Sequence, residues 1–187
     1  MLRCNRNSIE YEGFLFSKIT DFALFAGFDC GNDDLNDFVR NDAERHRSEL
    51  IAETYSFSYQ FDDGTCIPLA FVSLSNDTIK RRHLAASILE TIPEGLRYEP
   101  LPAVKIGRLG VLKEFHNLDV GTALLNLLKQ LFTTENRTGC RFLTVDAYND
   151  PHVLGFYRKN GFDFYHEKDA NRQTRIMFFD LMTFIVV

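Results

Sequence analysis

Tryptophan is absent from the sequence, prolines number only 5 in 187 residues, and the 4 cysteines, Cys4, Cys30, Cys66 and Cys140, form no C-x-x-C pair. That spacing excludes a cysteine-built metal knuckle and a dense disulfide frame, and it fits reduced thiols in a cytoplasm. No apolar run approaches the roughly 20 residues that a membrane helix needs, and Met1 to Ile9 does not read as a signal peptide. Repeats, low-complexity tracts and linkers rich in Pro, Gly or Ser are missing too. A single domain spanning 1–187, cytoplasmic and without membrane association, is expected.

An excess of basic charge is also lacking. Lys and Arg number 21 against 26 Asp and Glu, and the net charge of −5 argues against broad electrostatic capture of nucleic acid. The dense basic cluster Lys80, Arg81, Arg82 and His83 reads as a solvated helix or loop face. What the chain has in plenty is phenylalanine: 18 Phe and 7 Tyr within a 45% hydrophobic composition point to a Phe-filled core.

Along the chain, strand and helix signals alternate. Gly13 to Ile19 reads as a first strand. The stretch Asn32 to Leu50 opens with Asn and two Asp, which cap a helix and oppose its macrodipole, and then sets Leu35, Phe38, Val39 and Ala43 on one stripe. Thr54 to Phe61 alternates aromatic and polar residues as a half-buried strand does, and Ile67 to Ser75 is the return strand of a hairpin. Thr78 to Leu89 is weakly helical, and Pro93 to Pro102 is irregular. Phe142 to Ala147 is a strand, Pro151 to Lys159 a short helix closed by Gly161, and Phe162 to His166 and Thr174 to Phe184 are two closing strands.

The informative stretch is Val104 to Phe132, which changes hydrophobic period in its middle. Val104, Ile106 and Leu109 to Leu112 suit a strand. From Gly121 the apolar residues Leu124, Leu125, Leu128, Leu131 and Phe132 follow helical spacing, with Thr122, Asn126, Lys129 and Thr133 on the other face. The joint between them, Glu114 to Gly121, is a strand-to-helix turn whose free N–H groups and helix N-terminus suit an anion. Gly107 and Gly110 weaken the strand they sit in, for which a close backbone approach by a ligand and packing against a neighbouring aromatic are both sufficient reasons.

Three segments resemble the GNAT superfamily of N-acetyltransferases. LPAVKIGRLGVLKEFHNLDVGTALL (Leu101 to Leu125) is similar to its acetyl-coenzyme A strand and loop, in which a Gln/Arg-x-x-Gly-x-Gly/Ala pattern puts His116 at the Gln/Arg position, Asp119 at the first Gly and Gly121 at the second. VDAYNDPHVLGFYRKNGF (Val145 to Phe162) resembles the strand and helix in which Asn149, Phe156, Tyr157, Gly161 and Phe162 stand at matching places. FDCGNDDLNDFVRNDA (Phe28 to Ala43) resembles the opening helix of the toxin-type members.

The resemblance implies an α/β fold of α+β type, a mixed sheet of about six to seven strands flanked by helices. It also implies an enzyme that moves an acetyl group from acetyl-CoA, its cosubstrate, to a primary amine by direct attack, with no metal. On it, Leu109, Gly110 and Val111 give backbone contacts to the cosubstrate, as do His116, Asn117, Leu118, Asp119, Val120, Gly121 and Thr122 of the loop. Asn149 either bonds a pantetheine amide or caps the following helix, and Phe156 lies beside the cosubstrate. Tyr157 is the general acid for the departing thiolate, against the alternative of a core aromatic. Asp146 serves equally as a base or as a structural acceptor.

The expected partner is an amine-bearing acceptor: a small molecule, a protein or, for a toxin-type member, aminoacyl-tRNA with an antitoxin as the neutralising protein. A homodimer is left open. Asp119 either faces the loop interior and repels phosphate or turns outward and caps the helix at Val120. The first case describes a degenerate GNAT module that binds coenzyme A weakly or not at all and acts through protein interaction.

Overall fold

The computed structural model describes residues 3–5, 8–63, 65–93, 95, 99–134 and 138–185. Its strands are β1 (Arg3–Asn5), β2 (Ser8–Tyr11), β3 (Phe14–Lys18), β4 (Glu53–Gln60), β5 (Cys66–Ile79), β6 (Leu101–Val111), β7 (Phe142–Tyr148), β8 (Asp163–Phe164) and β9 (Thr174–Asp180). Its α-helices are α1 (Asp33–Asp37), α2 (Ala43–Ser48), α3 (Ala86–Leu89), α4 (Val120–Thr134) and α5 (Pro151–Lys159). The chain divides into two compact units, Met1–Ser75 with Ile106–Leu128, and Asn76–Lys105 with Lys129–Val187. The fold is the mixed α/β sheet with flanking helices that the resemblance implies, but the described residues form nine strands and not about six to seven, since the short β1, β2 and β8 add to the sheet.

Within the first unit the strand order is β1-β2-β3-β4-β5-β6. Phe16 lies opposite Phe57, and Phe57 opposite Ala70, and all three are buried. The half-buried alternation expected of this strand is not found: Thr54, Ser56 and Ser58 of its polar face are buried while Tyr59 is 44% exposed, because the sheet is covered on both sides here. Asn32 caps α1, its side chain accepting from Leu35 N at 3.1 Å. The helix continues through a π-helical turn, Phe38–Asp42, into α2. Phe25, Phe28, Phe38, Val39 and Ala43 pack with Phe71 of β5 into one apolar cluster.

The second unit has the order β5-β6-β7-β9-β8. Val145 lies opposite Met177 and Leu143 opposite Phe179. Ile79, Leu101, Ala103, Phe142 and Phe178 form its apolar cluster with Leu84 and Ile92. Asp150 caps α5 by accepting from His152 N and Val153 N at 2.9 and 3.2 Å, Pro151 fills the first helical position, and Gly161 takes φ +81° beyond its end.

Several boundaries depart from the sequence reading. Thr78 and Ile79 complete β5, so the helical stretch shrinks to a 3₁₀ turn at Arg81–His83 and α3. The first closing strand is only Asp163–Phe164, and β9 stops at Asp180, whose carboxylate accepts from Met182 N at 3.0 Å and starts a 3₁₀ turn. Lys129 was expected on the polar face of α4 but is 4% exposed, as Leu127 at 0% also carries burial around the helix. No helix among the described residues is long and apolar enough to cross a membrane.

Candidate active site

In the first unit β6 leads into the loop before α4. Gly110 is buried, and a Cβ there would stand 2.6 Å from Cε1 of Phe71 and 3.3 Å from Cys30 Sγ, so an aromatic neighbour explains this glycine. At Gly107 the nearest atom to such a Cβ is the Ser73 carbonyl oxygen at 3.7 Å, an ordinary contact. Leu109 and Val111 are partly buried on either side of Gly110.

Beyond the strand, Leu112 N donates to the Leu69 carbonyl at 2.7 Å and Lys113 N to the Asp29 carbonyl at 2.9 Å. A 3₁₀ turn, Lys113–Phe115, follows. The His116 ring folds back, Nε2 donating to the Val111 carbonyl at 2.9 Å. Asn117 and Asp119 then take φ +63° and +56°, the left-handed region that glycine enters freely and that Asn and Asp tolerate best among other residues. Leu118 between them is 63% exposed.

Asp119 occupies the cap position of α4, since its carbonyl accepts the first helical bond, from Ala123 N at 2.9 Å. Its backbone is left-handed where the usual cap is extended. The N–H groups of Val120 and Gly121 precede that first bond and have no intrahelical acceptor. Two left-handed residues thus stand just ahead of a 15-residue helix, whose N-terminal N–H groups suit an anion. Thr122, in the first turn, is partly buried.

The segment FDCG supports this loop from below. The Asp29 carboxylate accepts from Gly31 N at 2.8 Å and Asn36 Nδ2 at 2.9 Å, bonds that hold its pKa below the ordinary carboxylate value. Buried Asn36 accepts in turn from Cys30 N at 2.9 Å and Cys30 Sγ at 3.1 Å. The Arg40 guanidinium donates to the Phe28 carbonyl.

In the second unit Asn149 follows β7. It does not cap α5, the role Asp150 fills, and both protons of its Nδ2 are spent on the carbonyls of Ala170 and Arg172 at 2.9 Å each. Its Oδ1 remains as an acceptor. Asp146 is paired with Lys105 on the neighbouring strand.

Tyr157 is buried on α5, its ring 5.1 Å from that of Phe156 and 5.3 Å from that of Phe162. Burial pushes its phenol well above the ordinary value, so it keeps its proton at neutral pH. Among the described residues none hydrogen-bonds this hydroxyl.

Two groups that matter here were missed in the sequence, Lys129 and Asn160. The burial of Lys129 has a local signal, since leucines at 124, 125, 127, 128 and 131 cover too much of the helix circumference for one-sided burial, whereas Asn160 as its partner has none.

A mixed sheet with flanking helices, and a strand that opens into a left-handed loop at a helix N-terminus, fit a transferase that uses acyl-coenzyme A. Residues 37–162 match the acetyltransferase (GNAT) family, and the chain belongs to that family. Among solved structures, a Tyr-to-Phe mutant of KacT superposes with a TM-score of 0.71 at 21% identity, covering 92% of this chain and 97% of that one. A Tyr-to-Phe mutant of the AtaT toxin, bound to the C-terminus of the antitoxin AtaR and acetyl-CoA, gives 0.69 at 19% identity, covering 92% and 96%. AtaT complexed with acetyl-methionyl-tRNAfMet gives 0.68 at 20% identity, covering 91% and 96%. At these identities the likeness is one of fold.

Proposed function

We propose that the chain transfers the acetyl group of acetyl-CoA to a primary amine. The observation that carries the reading is the loop of a GNAT-family chain in which Asn117 and Asp119 hold left-handed φ directly before α4. Asp119 stands where glycine is usual in the family, yet its backbone has the conformation glycine would supply, so the run of N–H groups survives the substitution. In this reading residues 116–122 hold the pyrophosphate, and the backbone of Leu109, Gly110 and Val111 lies along the pantetheine arm.

Chemically, the neutral amine attacks the thioester carbonyl, the nitrogen of the tetrahedral intermediate gives up a proton to solvent, the intermediate collapses with cleavage of the C–S bond, and the departing thiolate takes a proton. Tyr157 supplies it. Its buried phenol is protonated at neutral pH and first donates a hydrogen bond to the sulfur as negative charge develops there. Phe156 lines the same helix, and Asn149 takes part through Oδ1.

The acceptor class follows from two opposing features. The AtaT complexes with acetyl-methionyl-tRNAfMet and with the antitoxin AtaR bring forward aminoacyl-tRNA as acceptor and an antitoxin as partner, and the FDCG segment supports a toxin-type assignment. The net charge of −5 weighs toward a small or protein amine.

Release of free thiol from acetyl-CoA, followed with a polyamine, a lysine peptide and aminoacyl-tRNA as acceptors, tests the reading. At least one is expected to raise release above the rate with water. Tyr157→Phe is expected to lower turnover by about 10²-fold with affinity for acetyl-CoA nearly unchanged. Equal turnover in both proteins would return Tyr157 to the core.

A further inference from the structure

A buried ammonium lies behind the helix that carries Tyr157. Lys129 Nζ donates to the carbonyl of Asn160 at 2.8 Å. Asn160, itself buried, is the C-cap of α5 and turns its other groups back onto the helix. Its N–H donates to the carbonyls of Phe156 and Tyr157 at 3.2 and 3.1 Å, and its Nδ2 to that of Phe156 at 2.9 Å. The Tyr157 carbonyl also accepts from Phe162 N at 3.0 Å.

A second path runs through rings. Lys129 Nζ sits 4.4 Å from the centroid of Phe179 and 5.8 Å from that of Phe184. Phe179 packs on Phe162 at 5.6 Å, and Phe162 packs on Tyr157 at 5.3 Å. Both the polar and the aromatic path start at Lys129 and end at Tyr157.

Burying an ammonium is costly, and a leucine or methionine would fill this space without the desolvation penalty. Its return is geometric. A cation satisfies a C-terminal carbonyl of a helix and interacts favourably with the helix dipole, and a charge held over aromatic faces fixes their placement. The last turn of α5 is thereby given one position, and Tyr157 is on that turn.

We propose that Lys129 is a positioning residue for Tyr157, acting through Asn160 and the Phe179–Phe162 ring pair. The inference rests on the reading of Tyr157 as proton donor.

A double-mutant cycle tests it, with thiol release from acetyl-CoA to water as the readout. Lys129→Met is expected to lower kcat about 10-fold with KM for acetyl-CoA within about twofold, Lys129→Arg to recover most of that loss, and Lys129→Met to add nothing in a Tyr157→Phe background. Where Lys129→Met does not fold, Lys129→Gln takes its place in the same cycle. Losses of equal size in both backgrounds overturn the positioning role while leaving Tyr157 as donor. Unchanged release in Tyr157→Phe alone overturns the donor reading and this inference with it.

Discussion

The backbone N–H of Lys113 donates to the carbonyl of Asp29 at 2.9 Å, which fastens the FDCG segment to the point where β6 gives way to the loop. The segment's sequence likeness to toxin-type acetyltransferases thus has a mechanical content. Asp29, Cys30 and Asn36 form a compact bonded knot, and its job is to hold a strand end.

Asn36→Ala is expected to cost about 1–3 kcal/mol, because it leaves the Cys30 N–H buried without its acceptor. Denaturant unfolding measures this. A change under about 0.5 kcal/mol would mean that the knot relaxes onto other partners.

The two glycines of β6 should separate cleanly. Gly110→Ala forces a methyl to within 2.6 Å of the Phe71 ring and is expected to destabilise by about 1–3 kcal/mol. Gly107→Ala meets nothing nearer than 3.7 Å and is expected to be neutral or to stabilise by up to about 1 kcal/mol. Thermal unfolding of the two variants side by side checks the contrast.

How much of this was legible beforehand differs from element to element. The short helix Pro151–Lys159 was readable to the residue, because proline at its start and Gly161 beyond its end are both local signals. The pairing of β1 and β2, short strands joined across Arg3↔Glu10, left no periodic trace in the sequence. The loop is legible from its change of hydrophobic period and the positive φ at Asp119 from the glycine it replaces in the family pattern, but the left-handed Asn117 is not, since Asn is also an ordinary turn residue. The capping alternative for Asn149 and the polar-face placement of Lys129 fail for one reason. Their roles depend on Ala170, Arg172 and Asn160, partners from another element that no local pattern names.

Lys129 also links stability to pH. Burial lowers its pKa from 10.5 to about 8 in the folded chain, so between those values the unfolded chain binds more protons, and this group's contribution to stability rises with pH. The stability of the wild type relative to Lys129→Met is therefore expected to climb from pH of about 8 to pH of about 10.5 and to be flat below it. A difference that does not vary across that window would place the amine in water.

For Asp119, the left-handed backbone makes glycine the less strained choice, and loss of the carboxylate at the cap position offsets part of that gain. Asp119→Gly is expected to change stability by less than about 1 kcal/mol. Its affinity for acetyl-CoA should shift by less than about tenfold, or about 1.4 kcal/mol. If this substitution turned a non-binder into a binder, the natural chain would be a degenerate module.

Calorimetric titration of the wild-type chain with acetyl-CoA, repeated with acetylpantetheine, tests the central claim most directly. The second ligand keeps the thioester and lacks the pyrophosphate that residues 116–122 are proposed to hold. Saturable binding of acetyl-CoA, at least about 100-fold tighter than that of acetylpantetheine, or about 2.7 kcal/mol, is the expected result. No heat with acetyl-CoA at concentrations of about 1 mM, or equal affinity for the two ligands, would contradict it.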